Sequence, residues 1–280
     1  MSTFTALETS EEMRLTSLDL LRATWTTMTS LTVFVFGMLG NVATVYIYTR
    51  SKEIRRRKVF ELILAAFDIY ALFVVLSIFT LDLYANEGLS VYLGLAISIC
   101  AHSYYVTILC STICRFVAVY RPFSFKIFFE KWRRRFVMMI VFTTLLVFCR
   151  TFVFRVILEQ SFTSLYVIDV IFSIVCFGLI AVFFILIIVK LIKPSAFIAE
   201  AAEQNPIMRN RHVVAVKTFG AVTLCFLISY TAAYAVRSEL LPLYADYLYF
   251  LNHICNPVIY ILLNREFREK VRDLTRLNAT

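Results

Sequence analysis

Asn256-Pro257-Val258-Ile259-Tyr260 closes the last long apolar stretch of the chain, and Phe267-Arg268 follows soon after the tyrosine. A proline inside a membrane helix has no N–H to give and so frees a backbone carbonyl. The asparagine just before it is expected to occupy the loosened ladder, because freed backbone groups in lipid must find new partners. Tyr260, one turn later, then sits beside a ready-made hinge. The charged, amphipathic run beyond it marks where the helix leaves lipid. A hinge at such an exit points to a signalling switch and away from a passive anchor.

The rest of the chain suits that reading. Its 280 residues are 60% hydrophobic and 17% charged, with a mean hydropathy of +0.79. A soluble domain averages nearer ~45–50% apolar and ~25% charged. The excess lies in long blocks, which predicts an all-α integral membrane protein. Seven stretches reach the roughly 20 residues needed to cross about 30 Å of hydrocarbon. They are 24–49, 59–83, 91–120, 136–158, 162–192, 213–237 and 243–263. The predicted fold is a seven-transmembrane helix bundle over 24–263. Residues 1–23 form an extracellular N-terminal segment, and 264–280 a short amphipathic eighth helix and cytoplasmic tail. In that last piece Phe267, Val271 and Leu274 share a face, as suits a helix lying on the inner leaflet.

Orientation follows from the basic residues. Six fall in 50–58, seven in 115–135, five in 190–217 and five in the tail, or 23 of the 28 in the chain. Seven spans with those loops inside put the N-terminus outside the plasma membrane and the tail in the cytoplasm, where anionic lipids attract the basic loops. Residues 1–23 are polar, with Glu8, Glu11, Glu12 and Asp19, and show no basic start or short apolar core, so no removable signal peptide is expected. No basic patch is interleaved with aromatics, which argues against a nucleic-acid partner. The seven cysteines all fall in apolar blocks and read as buried small hydrophobes without a structural disulfide.

Polar residues inside the spans are costly and face the protein interior or water. Asn41 follows Gly40 in the first span, and Asp68 lies midway along the second. Asn252 and Asn256 stand four apart on one helix face. Together they predict a buried polar cluster, either glue between helices or a hydrated core that changes shape. Arg115 ends the third span between Cys114 and Phe116, and Tyr120-Arg121-Pro122 then breaks the helix. On its own residues it reads equally well as an interfacial arginine snorkelling to water.

With these motifs in order, the chain resembles a rhodopsin-like (class A) G-protein-coupled receptor over nearly its whole length. The resemblance rests on Gly40-Asn41, Asp68, Arg115 seven residues before Pro122, Phe226, and the Asn256–Tyr260 run followed by Phe267. It implies a receptor with no enzymatic activity that converts binding of an extracellular ligand into activation of a heterotrimeric G protein. In the family, the arginine at Arg115's place pairs with an acidic neighbour at rest. It turns to the G protein when the sixth helix swings out, and the tyrosine at Tyr260's place swings in to support it. The implied switch is Arg115, Cys114, Pro122, Tyr230, Phe226, Pro257 and Tyr260. The implied polar core is Asn41, Asp68, Asn252 and Asn256.

The chain departs from the family in several places. The acidic residue before the arginine is Cys114, and the tyrosine after it is Phe116. The outer cysteine of the third span falls at Ser90, and the proline of the fifth is missing. The tryptophan–proline toggle reads Ser229-Tyr230-Thr231-Ala232, so Tyr230 is expected as the bulky rotor. The resemblance implies no cofactor but a sodium ion near Asp68, and Tyr104, standing where the family's sodium pocket needs a small polar residue, argues against it. With Cys114 beside Arg115 and His212 near the start of the sixth span, no carboxylate is expected to restrain the arginine, and ligand-free signalling should be raised.

Ile97 and Phe250 stand where aminergic and retinal-binding members carry their aspartate and lysine, which excludes those ligands. Polar groups in the outer half nominate His102, Tyr105, Tyr234, Arg237, Asp246 and Tyr249 as a ligand pocket, with Arg150 and Asp169 nearby. A peptide is the expected ligand, and a divergent chemosensory receptor for small molecules is the alternative. A seven-span metalloenzyme would need several His and Asp ligands on facing helices. The chain has only His102, His212 and His253, so no metal site is expected. A transporter would show internal repeats and broken helices in both halves; only one span holds a proline.

Overall fold

A computed structural model describes residues 2–82, 87–121, 124–153, 162–192, 206–237 and 246–277. Among the described residues the chain forms nine helices and no strand. They are α1 (Ser2–Thr49), α2 (Lys52–Arg57), α3 (Val59–Asp82), α4 (Glu87–Tyr120), α5 (Phe125–Phe152), α6 (Phe162–Ile192), α7 (Pro206–Arg237), α8 (Asp246–Leu263) and α9 (Arg265–Leu277). With only 6 glycines and 5 prolines, the sequence offers few places where a helix must stop.

Among the described residues, four helices hold stretches long and apolar enough to cross a membrane: Thr27–Thr49, Ser98–Tyr120, Phe125–Phe152 and Val167–Lys190. Shorter apolar stretches, Val216–Thr231 and Leu251–Leu263, lie in α7 and α8. The chain thus has the make-up of a multi-pass membrane protein. The breaks expected at 159–161 and 238–242 fall outside the described residues.

Three helix starts differ from the sequence reading. α1 begins at Ser2, because no glycine or proline interrupts the chain before Gly37. α5 begins at Phe125 and not at 136, so Lys126, Lys131 and Arg133–Arg135 are helical. Charge suggested a loop there, but Phe128, Trp132 and Phe136 recur every four residues. Their rings stack down one face, 6.0 and 6.1 Å apart. α7 begins at Pro206, a residue whose fixed φ and missing N–H suit the first helical position.

α4 is the central element. It packs on α3, α5 and α6 and touches α7. Its apolar stretch is 67% buried, against 22% for those of α5 and α6, which therefore present most of their surface outward. Ile171, Ile174 and Val175 on α6 and Phe142, Leu145 and Leu146 on α5 are exposed, as lipid-facing residues would be. Cys149 is exposed in the same way, so the reading of every cysteine as buried fails for it. α8 lies against α1, α3 and α7.

Several buried hydroxyls are satisfied within their own helices. Thr44 donates to the Gly40 carbonyl, Ser103 to Ile99, Thr107 to Ser103 and Thr112 to Ile108, all at 2.7–2.9 Å. The Ser103 and Thr144 hydroxyls also meet at 2.7 Å, joining α4 to α5.

Candidate functional site

The site grows from the proline of α8. Pro257 cannot bond the carbonyl four residues earlier, which belongs to His253. That carbonyl accepts from Asn41 Nδ2 at 2.8 Å, and the same amide nitrogen donates to the Gly37 carbonyl at 2.9 Å. The residue that fills the loosened ladder is therefore Asn41 on α1, not Asn256 as the sequence suggested. Asn256 is one residue from the proline, and its side chain projects to a different helix. Gly40 makes the clamp close: a Cβ there would lie 2.7 Å from Pro257 Cβ, which only a glycine avoids. Gly37 meets Leu72 of α3 at a similar distance.

Asp68 on α3 completes the core. It is fully buried, as are Asn41, Asn252 and His253, and Asn256 nearly so. Asn256 Nδ2 donates to Asp68 Oδ2 at 2.7 Å and to the Tyr104 hydroxyl at 2.5 Å. His253 Nδ1 lies 2.7 Å from Asp68 Oδ1. Asn41, Asp68 and Asn256 thus converge as expected, but through His253, which the sequence reading used only as a candidate metal ligand. Asn252 is buried beside Tyr104, with its amide outside good hydrogen-bonding geometry. The donor set does not suit a sodium ion, because each Asp68 oxygen faces a nitrogen and the Tyr104 ring lies 6.1 Å from the imidazole.

Toward the other end of α4, Arg115 Nη2 donates to Glu61 Oε1 at 3.2 Å, and Lys58 Nζ reaches the same oxygen at 3.3 Å. This overturns the expectation that no carboxylate restrains Arg115. The partner is on α3, 54 residues away in sequence, and not next to the arginine or at the start of the sixth span. Cys114 is buried, and Phe116 stacks on Tyr120 at 4.3 Å. Pro122 lies outside the described residues.

Tyr260 is buried one turn beyond the proline. It packs with Phe267 at 5.9 Å and with Tyr48 at 6.2 Å. Lys58 Nζ sits 5.7 Å over the Tyr48 ring, so the ion cluster and the tyrosines form one assembly. α9 is tied in at its start. Asn264 Oδ1 accepts from the Phe267 N–H at 3.2 Å, an N-cap, and Arg268 Nη1 donates to the Leu262 carbonyl at 2.7 Å, closing α8. Phe267 is buried and Val271 partly so; the Leu274 side chain lies outside the described residues.

Phe226 and Tyr230 on α7 are buried with ring centres 4.4 Å apart. Tyr104 stacks on Phe226 at 5.2 Å, and Tyr105 meets Tyr230 at 5.1 Å. The expected rotor is therefore a member of an aromatic cluster that joins α4, α6 and α7.

Of the ligand-pocket residues, His102 and Tyr105 are buried. His102 packs on Phe172 at 4.8 Å, donates from Nδ1 to the Ser98 carbonyl at 2.7 Å and faces Asp169 through Nε2 at 3.3 Å. Asp169 also accepts from Arg150 Nη2 at 2.5 Å and Ser98 Oγ at 3.2 Å. These groups pair with one another across α4, α5 and α6. Tyr234, Arg237, Asp246 and Tyr249 lie on α7 and α8, and their side chains, like that of His212, are outside the described residues.

No protein-family model matches this sequence, and no curated protein matches it.

Proposed function

We propose that the chain is a seven-helix receptor of the plasma membrane, its N-terminus outside, that activates a heterotrimeric G protein when an extracellular ligand, a peptide, binds its outer half. The observation that carries this reading is the Pro257 hinge, clamped by Gly40 and Asn41 and braced by Asp68. It leads to Tyr260, which packs on Tyr48, the ring that lies under Lys58 of the Glu61–Arg115 cluster. At rest Glu61 holds the arginine. A ligand that favours an outward swing of α7 opens the cytoplasmic face, and Arg115 leaves Glu61 for the partner, a shift between two populated states. The amphipathic α9 rests on anionic inner-leaflet lipid.

Because Glu61 restrains Arg115, basal signalling in this scheme is low. Nucleotide exchange by purified G proteins, screened against peptide and small-molecule libraries, tests the reading. Glu61→Gln should raise ligand-free exchange severalfold, and Arg115→Ala should abolish ligand-dependent exchange with surface expression intact. Normal coupling in the arginine variant defeats the proposal.

A second reading, a divergent chemosensory receptor for small molecules, is favoured by one feature. His102, Arg150 and Asp169 neutralise one another, and the aromatic rings beside them are closely packed. A response to small apolar compounds and to none of the peptides selects it.

A further inference from the structure

Two cations reach one carboxylate oxygen near the start of α3. Arg115 Nη2 lies 3.2 Å from Glu61 Oε1, and Lys58 Nζ lies 3.3 Å from the same atom. The Glu61 side chain is 14% exposed, the lysine 18% and the arginine 25%, so all three charges are largely withdrawn from water. Together they carry one positive charge in excess. Glu266, the carboxylate at the start of α9, is engaged by Arg57 of α2 at 3.8 Å.

The two cations are anchored differently. Arg115 reaches across from α4. Lys58 stands between α2 and α3, three residues before Glu61. Its N–H donates to the Ile54 carbonyl at 2.8 Å, and its carbonyl accepts from the Leu62 N–H at 3.0 Å. Its ammonium also lies 5.7 Å over the Tyr48 ring of α1. A displacement of α4 against α3 thus carries Arg115 away from Glu61 and leaves Lys58 in place. Removing one partner of a buried ion pair is costly chiefly because the other charge is stranded. With two cations on one oxygen, the loss of either strands nothing.

We propose that Lys58 and Arg115 are alternative counter-ions of Glu61, and that Lys58 is the positioning residue that keeps the carboxylate compensated when Arg115 departs. Repulsion between the cations also loosens the hold on the arginine. The charge arrangement stands without the receptor reading. Its consequence, an arginine free to engage a partner, rests on that reading.

The test unfolds the full chain in lipid bicelles with a denaturing detergent. It compares wild type, Lys58→Met, Arg115→Gln and the double variant. Each single change should be tolerated, because the other cation remains. The double variant should lose about tenfold more in its folding equilibrium constant than the two single losses predict together. Adding Glu61→Gln to the double variant should recover most of that excess, and Lys58→Arg should behave as wild type. If the double variant does not fold, recovery of folded protein by the added Glu61→Gln is the readout. Independent losses without recovery, as from a lysine that only packs, overturn the proposal.

Lys58→Met should also lower ligand-free nucleotide exchange severalfold, opposite to Glu61→Gln. Exchange left unchanged by Lys58→Met overturns the positioning role and spares the receptor reading. Exchange absent from the wild type defeats the receptor reading, and the unfolding comparison then decides the counter-ions by itself.

Discussion

Asp68 meets His253 at 2.7 Å with neither side chain exposed, whereas Asp169 meets His102 at 3.3 Å with side chains 21% and 4% exposed. The second carboxylate also has Arg150. The two pairs share a residue combination and differ in how charge is balanced. At the α4–α5–α6 seam a guanidinium supplies the compensating charge, near enough to solvent to limit the cost of burial. At the α3–α8 seam the carboxylate meets an imidazole on one oxygen and an amide donor on the other. No guanidinium is among its described partners. The same contrast separates a cluster that the protein can lose with modest damage from one on which the hinge depends.

Removing the imidazole from each pair is the most direct way to break this comparison. His253→Ala leaves a buried carboxylate with an amide only, and should cost about 3–5 kcal/mol. His102→Ala leaves Asp169 with its arginine and should cost roughly 1 kcal/mol, the scale of one net hydrogen bond. Equal losses in denaturant unfolding of the two purified variants would end the distinction.

Gly40→Val pushes a branched side chain into Pro257 and should cost about 3 kcal/mol, the upper part of the usual overpacking range. Its lowered thermal midpoint should appear without any change at the outer seam. Asn41→Ala leaves the His253 carbonyl buried without a donor and should cost about 2 kcal/mol. Faster amide exchange confined to α8 around the proline would localise that effect.

The smallest effect is expected on α9, beyond both seams. A hydrogen bond from Arg265 at 2.7 Å holds the Glu269 carboxyl below its usual range. A group lowered in this way adds stability above its unfolded-state pKa and loses it as pH falls through the folded value. Glu269 is solvent-exposed, so screening leaves little of that gain. Arg265→Gln should return Glu269 to ordinary titration by carboxyl NMR, with no measurable change in the unfolding midpoint.

Much of the inner core could be read from single residues. Asn41, Asp68 and Asn256 are polar groups in otherwise apolar runs, and lipid forces such groups together. His253 was legible too, because a proline at 257 always frees the carbonyl four residues back; the sequence reading attended to the asparagine beside the proline instead. Glu61 left no comparable signal. It opens an apolar run next to six basic residues of the 50–58 segment and looks like part of a solvated loop. The pairing of His102 with Asp169 and Arg150 was equally hidden, since three separate helices must pack before those groups meet.

The amino-acid order by itself determined that the chain is helical and rich in membrane-length apolar segments, and where its last long helix is weakened. Those properties are local: hydropathy, scarce glycine and a proline without an N–H act within a few residues of where they are written. Packing alone decided which carboxylate holds Arg115, which amide heals the break at Pro257, and which histidine meets Asp68. Those outcomes turn on distances between helices, and a difference of an ångström or two there separates a hydrogen bond from none.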